Sequence, residues 1–317
     1  MTIAPMTLTQ RIAALDQLGR DLKAGEDEFL TALMKRTEFN NGWFLLEAQQ
    51  QALEAIVDEF LDGDKLRDWA SGYPDLANPA PRRPNKTVGL VLAGNIPLVG
   101  MHDIISVFVA GLRAQIKLSS KDPYVLPYLL RKLGEVDPAT LPYFEIVEKL
   151  AGFDAIVATG SNNSSRYFEA YFGKYPHIIR RNRNAVAVLT GQESTEDLRR
   201  LGTDIFTYYG LGCRNVSKLY LPEDYDFAPL MDVLHEWKAL QNHTKWKNNF
   251  DYNFALLTLN KEKFRYTGAV IVRPDEAIAS HIAGIFFSTY TDLGAVAQEL
   301  SRRREEIQLV VARPGLL

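Results

Sequence analysis

Thr87-Val-Gly-Leu-Val-Leu-Ala-Gly-Asn-Ile-Pro-Leu98 passes from an apolar run rich in valine and leucine into a turn-forming Gly-Asn-Ile-Pro. A short apolar run closed by turn residues reads as a buried strand. Residues 99–112 then take on helical spacing, and the alternation repeats. Ala114-Gln-Ile-Lys-Leu118 is strand-like, 123–135 helix-like, Ala155-Ile-Val-Ala158 strand-like and 163–172 helix-like. Strands that alternate with helices at this spacing predict a parallel sheet with right-handed crossovers, so the fold class is α/β of the nucleotide-binding type.

Downstream, a second α/β stretch begins at Ala185-Val-Ala-Val-Leu189, continues through a helix over 193–208 and reaches a strand at Ser217-Lys-Leu-Tyr-Leu221. Upstream, Ile12, Leu15, Leu18 and Leu22, and later Phe44, Leu45, Ala48, Leu53, Ile56, Val57 and Phe60, recur at helical spacing up to about Trp69, which reads as three helices. Asn78-Pro-Ala-Pro-Arg-Arg-Pro-Asn85 ends them, because proline cannot continue a helix. The expected organisation is 1–184 for the helices and a cofactor-binding domain, and 185–317 for a second domain carrying the lone cysteine. Ile307-Gln-Leu-Val-Val-Ala312 is a further strand lying five residues from the end, so a C-terminal segment beyond Leu317 is expected.

A chain of 317 residues with 46% apolar content suits about two domains, each with its own core. The net charge of -3 supplies no basic field for nucleic acid or an anionic membrane, which favours a small-molecule substrate. The single cysteine, Cys213, excludes a disulfide scaffold and points to a reducing compartment. The N-terminus has no basic region followed by an apolar core, and the apolar run Ile104-Ile-Ser-Val-Phe-Val-Ala-Gly-Leu112 is about half a membrane span. A cytoplasmic location with no membrane segment is expected.

Four loops could carry chemistry. In Gly210-Leu-Gly-Cys-Arg-Asn-Val-Ser217 a lone cysteine stands in a glycine-rich loop after a helix and before a strand. A thiolate there is a nucleophile that a carbonyl can approach, and the alternative is a small buried apolar side chain. Asn95 follows the first strand, where open parallel sheets bind ligands, and its amide can donate to developing oxyanion charge; the alternative is an ordinary turn. Lys117-Leu-Ser-Ser-Lys-Asp-Pro123 and Thr159-Gly-Ser-Asn-Asn-Ser-Ser165 follow the next strands and offer Lys117, Ser119, Ser120, Gly160 and Ser161 to ribose and phosphate oxygens, or simply cap helices. Neither contains Gly-x-Gly-x-x-Gly or a Walker A sequence. Arg180-Arg-Asn-Arg183 and His243-Thr-Lys-Trp-Lys-Asn-Asn249 are basic clusters that either hold cofactor phosphates or form solvated surface. The five histidines have no diagnostic spacing to Cys213, and no metal-site motif occurs.

In sequence order these features resemble the aldehyde dehydrogenase superfamily. Leu92-Ala-Gly-Asn-Ile-Pro-Leu-Val-Gly-Met-His-Asp-Ile-Ile-Ser106, Ile116-Lys-Leu-Ser-Ser-Lys-Asp122 and Trp246-Lys-Asn-Asn-Phe-Asp-Tyr-Asn253 are more narrowly similar to the acyl-CoA reductase family, whose namesake is the fatty-acyl reductase subunit of bacterial luminescence. The similarity runs from about residue 85 to 275. It implies a Rossmann-type cofactor domain beside a catalytic α/β domain, Cys213 as the nucleophile in a cleft between them, and Asn95 as the oxyanion donor. It further implies Lys117, Ser119 and Ser120 at the adenosine ribose of NADP, Gly160 and Ser161 near its pyrophosphate, an acyl-CoA substrate and a homodimer.

Classical aldehyde dehydrogenases carry a Glu-Leu-Gly-Gly segment whose glutamate activates the water that hydrolyses the thioacyl enzyme. The corresponding stretch here, Ile178-Ile-Arg-Arg-Asn-Arg-Asn184, has no carboxylate, which fits reduction to an aldehyde. An acyl-phosphate reductase of the same superfamily, and a catalytically silent scaffold that binds nucleotide or an acyl carrier, are the alternatives.

Overall fold

The computed structural model describes residues 5–77 and 86–317; the proline-rich break at 78–85 lies outside the described residues. The chain divides into two compact units, Met1–Arg181 and Asn182–Leu317.

The first unit opens with α1 (Leu8–Ala24), α2 (Glu28–Asn40), α3 (Leu46–Phe60), α4 (Gly63–Ser71) and the single turn α5 (Pro74–Ala77). The sequence pattern predicts three helices where four and a turn form. The reason is local: the Asp62 carboxylate accepts from the amides of Asp64 and Lys65, which starts a new helix directly after α3. The apolar stripe of α1, including Ile12, Leu15 and Leu18, is buried. Gly19 lets α1 pass closely over the α3–α4 corner, where a Cβ would stand 2.9 Å from the Leu61 carbonyl oxygen.

The sheet follows as β1 (Thr87–Val91), α6 (Met101–Val109), β2 (Arg113–Lys117), α7 (Val125–Val136), β3 (Phe144–Ile146), β4 (Ala155–Thr159), α8 (Asn162–Phe172) and β5 (His177–Arg180). Its order is β3-β2-β1-β4-β5, parallel throughout. Leu90 and Ile116 in the strands and Phe108 and Leu129 in the helices are fully buried in one core shared with α1. Burying each such side chain contributes about 1.5–3 kcal/mol before the entropy of ordering it is counted. The register sets Val91 beside both Lys117 and Ala158, so the loops that leave β1, β2 and β4 emerge together at one carboxyl edge.

The second unit contains β6 (Asn184–Val188), α9 (Thr195–Phe206), β7 (Val216–Pro222), α10 (Phe227–Glu236), α11 (Thr244–Leu259), β8 (Arg265–Tyr266), β9 (Ile271–Pro274), β10 (Gly284–Tyr290), α12 (Leu293–Arg302) and β11 (Ile307–Val311). The order is β11-β6-β7-β10-β9-β8, with only the short edge strand β8 antiparallel. The strand expected at Ile307 is β11, the opposite edge, paired with β6. No helix among the described residues is long and apolar enough to cross a membrane.

Candidate active site

In the first unit the carboxyl edge of the parallel sheet gathers the predicted cofactor residues. From β1 the chain steps to β2 and β3 on one side, then returns from β3 to β4 and β5 on the other, and ligands of open α/β sheets bind in the crevice outside such a switch point. The half-buried Asn95 lies in the loop after β1, Lys117 ends β2, Ser119 and Ser120 follow it, and Gly160 and Ser161 follow β4.

Two contacts fix the β1 and β2 loops to each other. A Cβ on Gly94 would fall 2.1 Å from the Ser119 hydroxyl oxygen, so only glycine permits this approach. Four residues on, Leu98 adopts a left-handed backbone with φ of 56°, and its amide donates to the Asp122 carboxylate at 2.8 Å. Asp122 is 3% exposed, and burial pushes its carboxyl up to about 6 against the opposing effect of the Leu98 amide.

Several of the other residues expected at a cofactor have structural partners. Lys117 donates from Nζ to the Glu148 carbonyl at 2.7 Å, which leaves two ammonium hydrogens for other acceptors. The Ser119 hydroxyl accepts from the Lys121 amide at 3.2 Å. Ser161 is the N-cap of α8, its hydroxyl accepting from the Ser164 amide at 3.2 Å. Gly160 packs tightly on that first turn: a Cβ would meet Phe168 at 2.9 Å and Ser164 at 3.0 Å. The adjacent Thr159 hydroxyl is buried and has no hydrogen-bond partner among the described residues.

The basic run at the end of β5 resolves into ion pairs. Arg180 grips Asp103 of α6 through Nη1 at 2.6 and 2.8 Å, and Arg181 pairs with Glu169 and Arg183 with Glu305. Burial pushes the Asp103 carboxyl up, but hydrogen bonds from His102 and Arg180 outweigh it and hold the group below the usual carboxylate range. This pair ties α6, which follows the Asn95 loop, to the end of β5.

Cys213 belongs to the second unit. Its side chain is exposed, so it is not the buried apolar filler that a lone cysteine often is. The backbone approaching it is unusual. Tyr208, Tyr209 and Gly210 have φ of 51°, 58° and 67°, three consecutive left-handed residues of which only the last is glycine. Each non-glycine residue in that region costs about 1–2 kcal/mol. The Tyr209 ring packs on His243, with centroids 4.3 Å apart, and on Trp246 at 6.2 Å. The buried Asn215 bonds both flanks of the loop: its Nδ2 donates to the carbonyls of Asp204 and Thr207, and its Oδ1 accepts from Gly212. Among the described residues no three His, Cys, Asp or Glu side chains cluster as a metal site.

Sequence reading passed over Asp122, Asn215, Thr159 and the Asp103–Arg180 pair. Asp122 and Asn215 stand inside the runs chosen for Lys117 and Cys213; the available signal was a carboxylate before a proline for Asp122 and an amide beside a glycine-rich turn for Asn215.

Residues 43–239 match the acyl-CoA reductase (LuxC) family. The chain belongs to that family. The match spans Asn95, Lys117, Gly160 and Cys213; it begins within the N-terminal helices and stops short of the Trp246–Asn253 run. No protein of curated function matches the sequence. Solved structures agree on the fold at low identity. An NADP-dependent enzyme of E. coli has a TM-score of 0.70 at 14% identity, over 97% of this chain and 78% of that one. Aldehyde dehydrogenase 21 of Physcomitrella patens, solved with the reaction product succinate, has 0.67 at 16%, over 98% and 78%. The indole-3-acetaldehyde dehydrogenase of P. syringae, solved with NAD+, has 0.66 at 13%, over 97% and 76%. The fold is that of the aldehyde dehydrogenases, and the chain is an oxidoreductase of the acyl reductase and aldehyde dehydrogenase group.

The buried Asp122 carboxyl gives this edge a pH signature. In the folded chain it holds its proton up to about pH 6, whereas unfolded it releases it near 3.8. Between those values the native state binds more protons, so stability falls as pH rises through the window and the loss is complete above it. Urea unfolding of wild type and Asp122→Asn at pH 3.5, 5 and 7 should show this downward slope in wild type and its disappearance in the variant. Parallel pH profiles for the two proteins would contradict it.

Proposed function

We propose that the protein reduces an acyl-CoA thioester to the aldehyde with NADPH, through a thioacyl intermediate on Cys213. The exposed thiol at the head of β7, inside the family match, is the observation that carries this reading. The Cys213 thiolate attacks the thioester carbonyl carbon, the new C–S bond forms, and the bond to coenzyme A breaks with its electron pair, so that coenzyme A leaves as a thiolate and takes up the proton that the Cys213 thiol gave up. Asn95 donates its side-chain N–H to the acyl oxygen as negative charge develops there. A reduced nicotinamide dinucleotide, when bound, supplies hydride to that carbon, and cleavage of the Cys213–carbon bond then frees the aldehyde. The absence of a carboxylate across 178–184 keeps this chain from activating water in the way the hydrolytic relatives do, so the thioacyl enzyme persists until it is reduced.

Residues on the first unit suit a dinucleotide. Gly94 and Gly160 bring the loops of the switch point into close contact, and the amino end of α8 presents a positive dipole where pyrophosphate would be held. Lys117, Ser119 and Ser120 would hold the adenosine ribose. No Asp or Glu stands between Ala114 and Ser120 to repel a 2'-phosphate, and the remaining Lys117 hydrogens favour it.

Intact mass after incubation with a long-chain acyl-CoA and no reductant should show the acyl adduct on wild type and none on Cys213→Ala. Asn95→Ala should lower kcat by about 100-fold or more with cofactor affinity retained. Wild type that stays unmodified would overturn the covalent route, and an Asn95→Ala enzyme at full rate would remove that side chain from it.

Binding of NADPH and NADH to wild type and Lys117→Ala separates the two cofactors. Loss of a charge-assisted hydrogen bond should weaken NADPH by about tenfold or more and leave NADH nearly unchanged. Equal loss for both, or none, would exclude Lys117 as the 2'-phosphate contact.

A further inference from the structure

We propose that Asn215 is the positioning residue that sets the Cys213 loop for acyl transfer. This rests on the reading of Cys213 as the nucleophile. Asn215 is 7% exposed, and every polar atom it owns is engaged. Its Nδ2 donates to the Asp204 and Thr207 carbonyls at 2.9 and 3.0 Å, at the end of α9. Its Oδ1 accepts from the Gly212 amide at 2.8 Å, its own amide donates to the Gly212 carbonyl at 3.2 Å, and its carbonyl accepts from Ala185 of β6 at 3.0 Å. One residue thereby joins the helix before the cysteine and the residue next to it through its side chain, and the strand beside it through its backbone.

The geometry between those anchors explains why such a joint is required. Three successive left-handed residues, Tyr208 to Gly210, turn the chain out of α9, and two of them carry side chains that disfavour that backbone. Such a turn persists only where its surroundings hold it. Asn215 holds it at both ends, and Gly212 is anchored on both its amide and its carbonyl immediately before Cys213. The Cys213 backbone amide, the second donor available to an acyl oxygen, is therefore fixed in place through Asn215. Asn215 itself touches no reacting atom in this scheme.

Three variants of the amide discriminate. Asn215→Asp keeps an acceptor for Gly212 but sets carboxylate oxygen against the Asp204 and Thr207 carbonyls; Asn215→Ala removes every side-chain bond; Asn215→Ser keeps a short hydroxyl. The expected result is a fall in kcat and in the rate of Cys213 acylation of at least tenfold, with KM for acyl-CoA and NADPH binding close to wild type. Alkylation of Cys213 by iodoacetamide, which needs no oxyanion donor, should change far less than acylation. Variants that fold and acylate at the wild-type rate overturn the proposal. So does equal loss of acylation, cofactor binding and thermal stability, because that pattern belongs to a general structural role. Hydrogen exchange on wild type covers the case in which no variant folds: the peptide over 207–215 should be protected comparably to α9, and exchange as fast as an exposed loop overturns the proposal. Wild type that forms no acyl adduct at all would instead sink the nucleophile reading, an outcome separable from a change confined to the variants.

Discussion

Parallel pairing of β1 between β2 and β4 is the constraint from which the first unit follows. Parallel neighbours cannot be joined by a tight turn, so β1 reaches β2 through α6, β2 reaches β3 by way of α7, and β4 reaches β5 through α8, while β3 returns to β4 through the non-helical stretch 147–154; these helices cover the faces that Leu90, Ile116 and Ala158 must bury. The same pairing delivers the ends of β1, β2 and β4 to one edge in register. Apolar burial and ligand geometry are in this sense one consequence of a strand order. A shift by one residue in β1 would turn Leu90 away from the core and carry the Gly94–Asn95 turn out of line with Ser119.

Two kinds of local device then hold loops that the sheet alone would leave loose. On the first unit the device is close contact and a buried acid: Gly94 lies against Ser119, and Asp122 receives the amide of a left-handed Leu98. On the second it is a buried amide with all its hydrogen bonds made, set beside a left-handed Tyr-Tyr-Gly turn packed under His243 and Trp246. Both tolerate unfavourable backbone next to residues with chemical roles in the proposed reaction. Strain of this kind is retained where the surrounding structure over-determines it.

The central architecture was legible because its carriers are long apolar runs with clear periods. Val88 to Ala93, Ala114 to Leu118 and Ala185 to Leu189 each lie at strands, and the helices between them fall within two or three residues of their expected positions. Edge strands were less visible. β3 is Phe-Glu-Ile with its last two residues exposed, and β5 runs into a basic cluster, so neither has the continuous apolar run of a central strand. The fourth N-terminal helix was hidden because Asp62 caps it without an intervening loop. Around the candidate site, sequence pointed to turns but not to their clamps. Asn215 acts through carbonyls eight and eleven residues away, and Asp122 through an amide twenty-four residues away; such partners are fixed by tertiary structure. The positive φ of Leu98 and the two tyrosines had no signal at all, since glycine is the residue that marks such positions.

The central claim is that Cys213 passes its acyl group to reduction rather than to water. A single-turnover reaction of wild type with acyl-CoA and NADPH, quenched over time and analysed for aldehyde, free acid, coenzyme A and oxidised cofactor, tests it most directly. The account predicts one aldehyde and one coenzyme A for each NADPH consumed, with little free acid. Release of free acid without NADPH consumption, or aldehyde formed only when an acyl phosphate replaces the thioester, would contradict it.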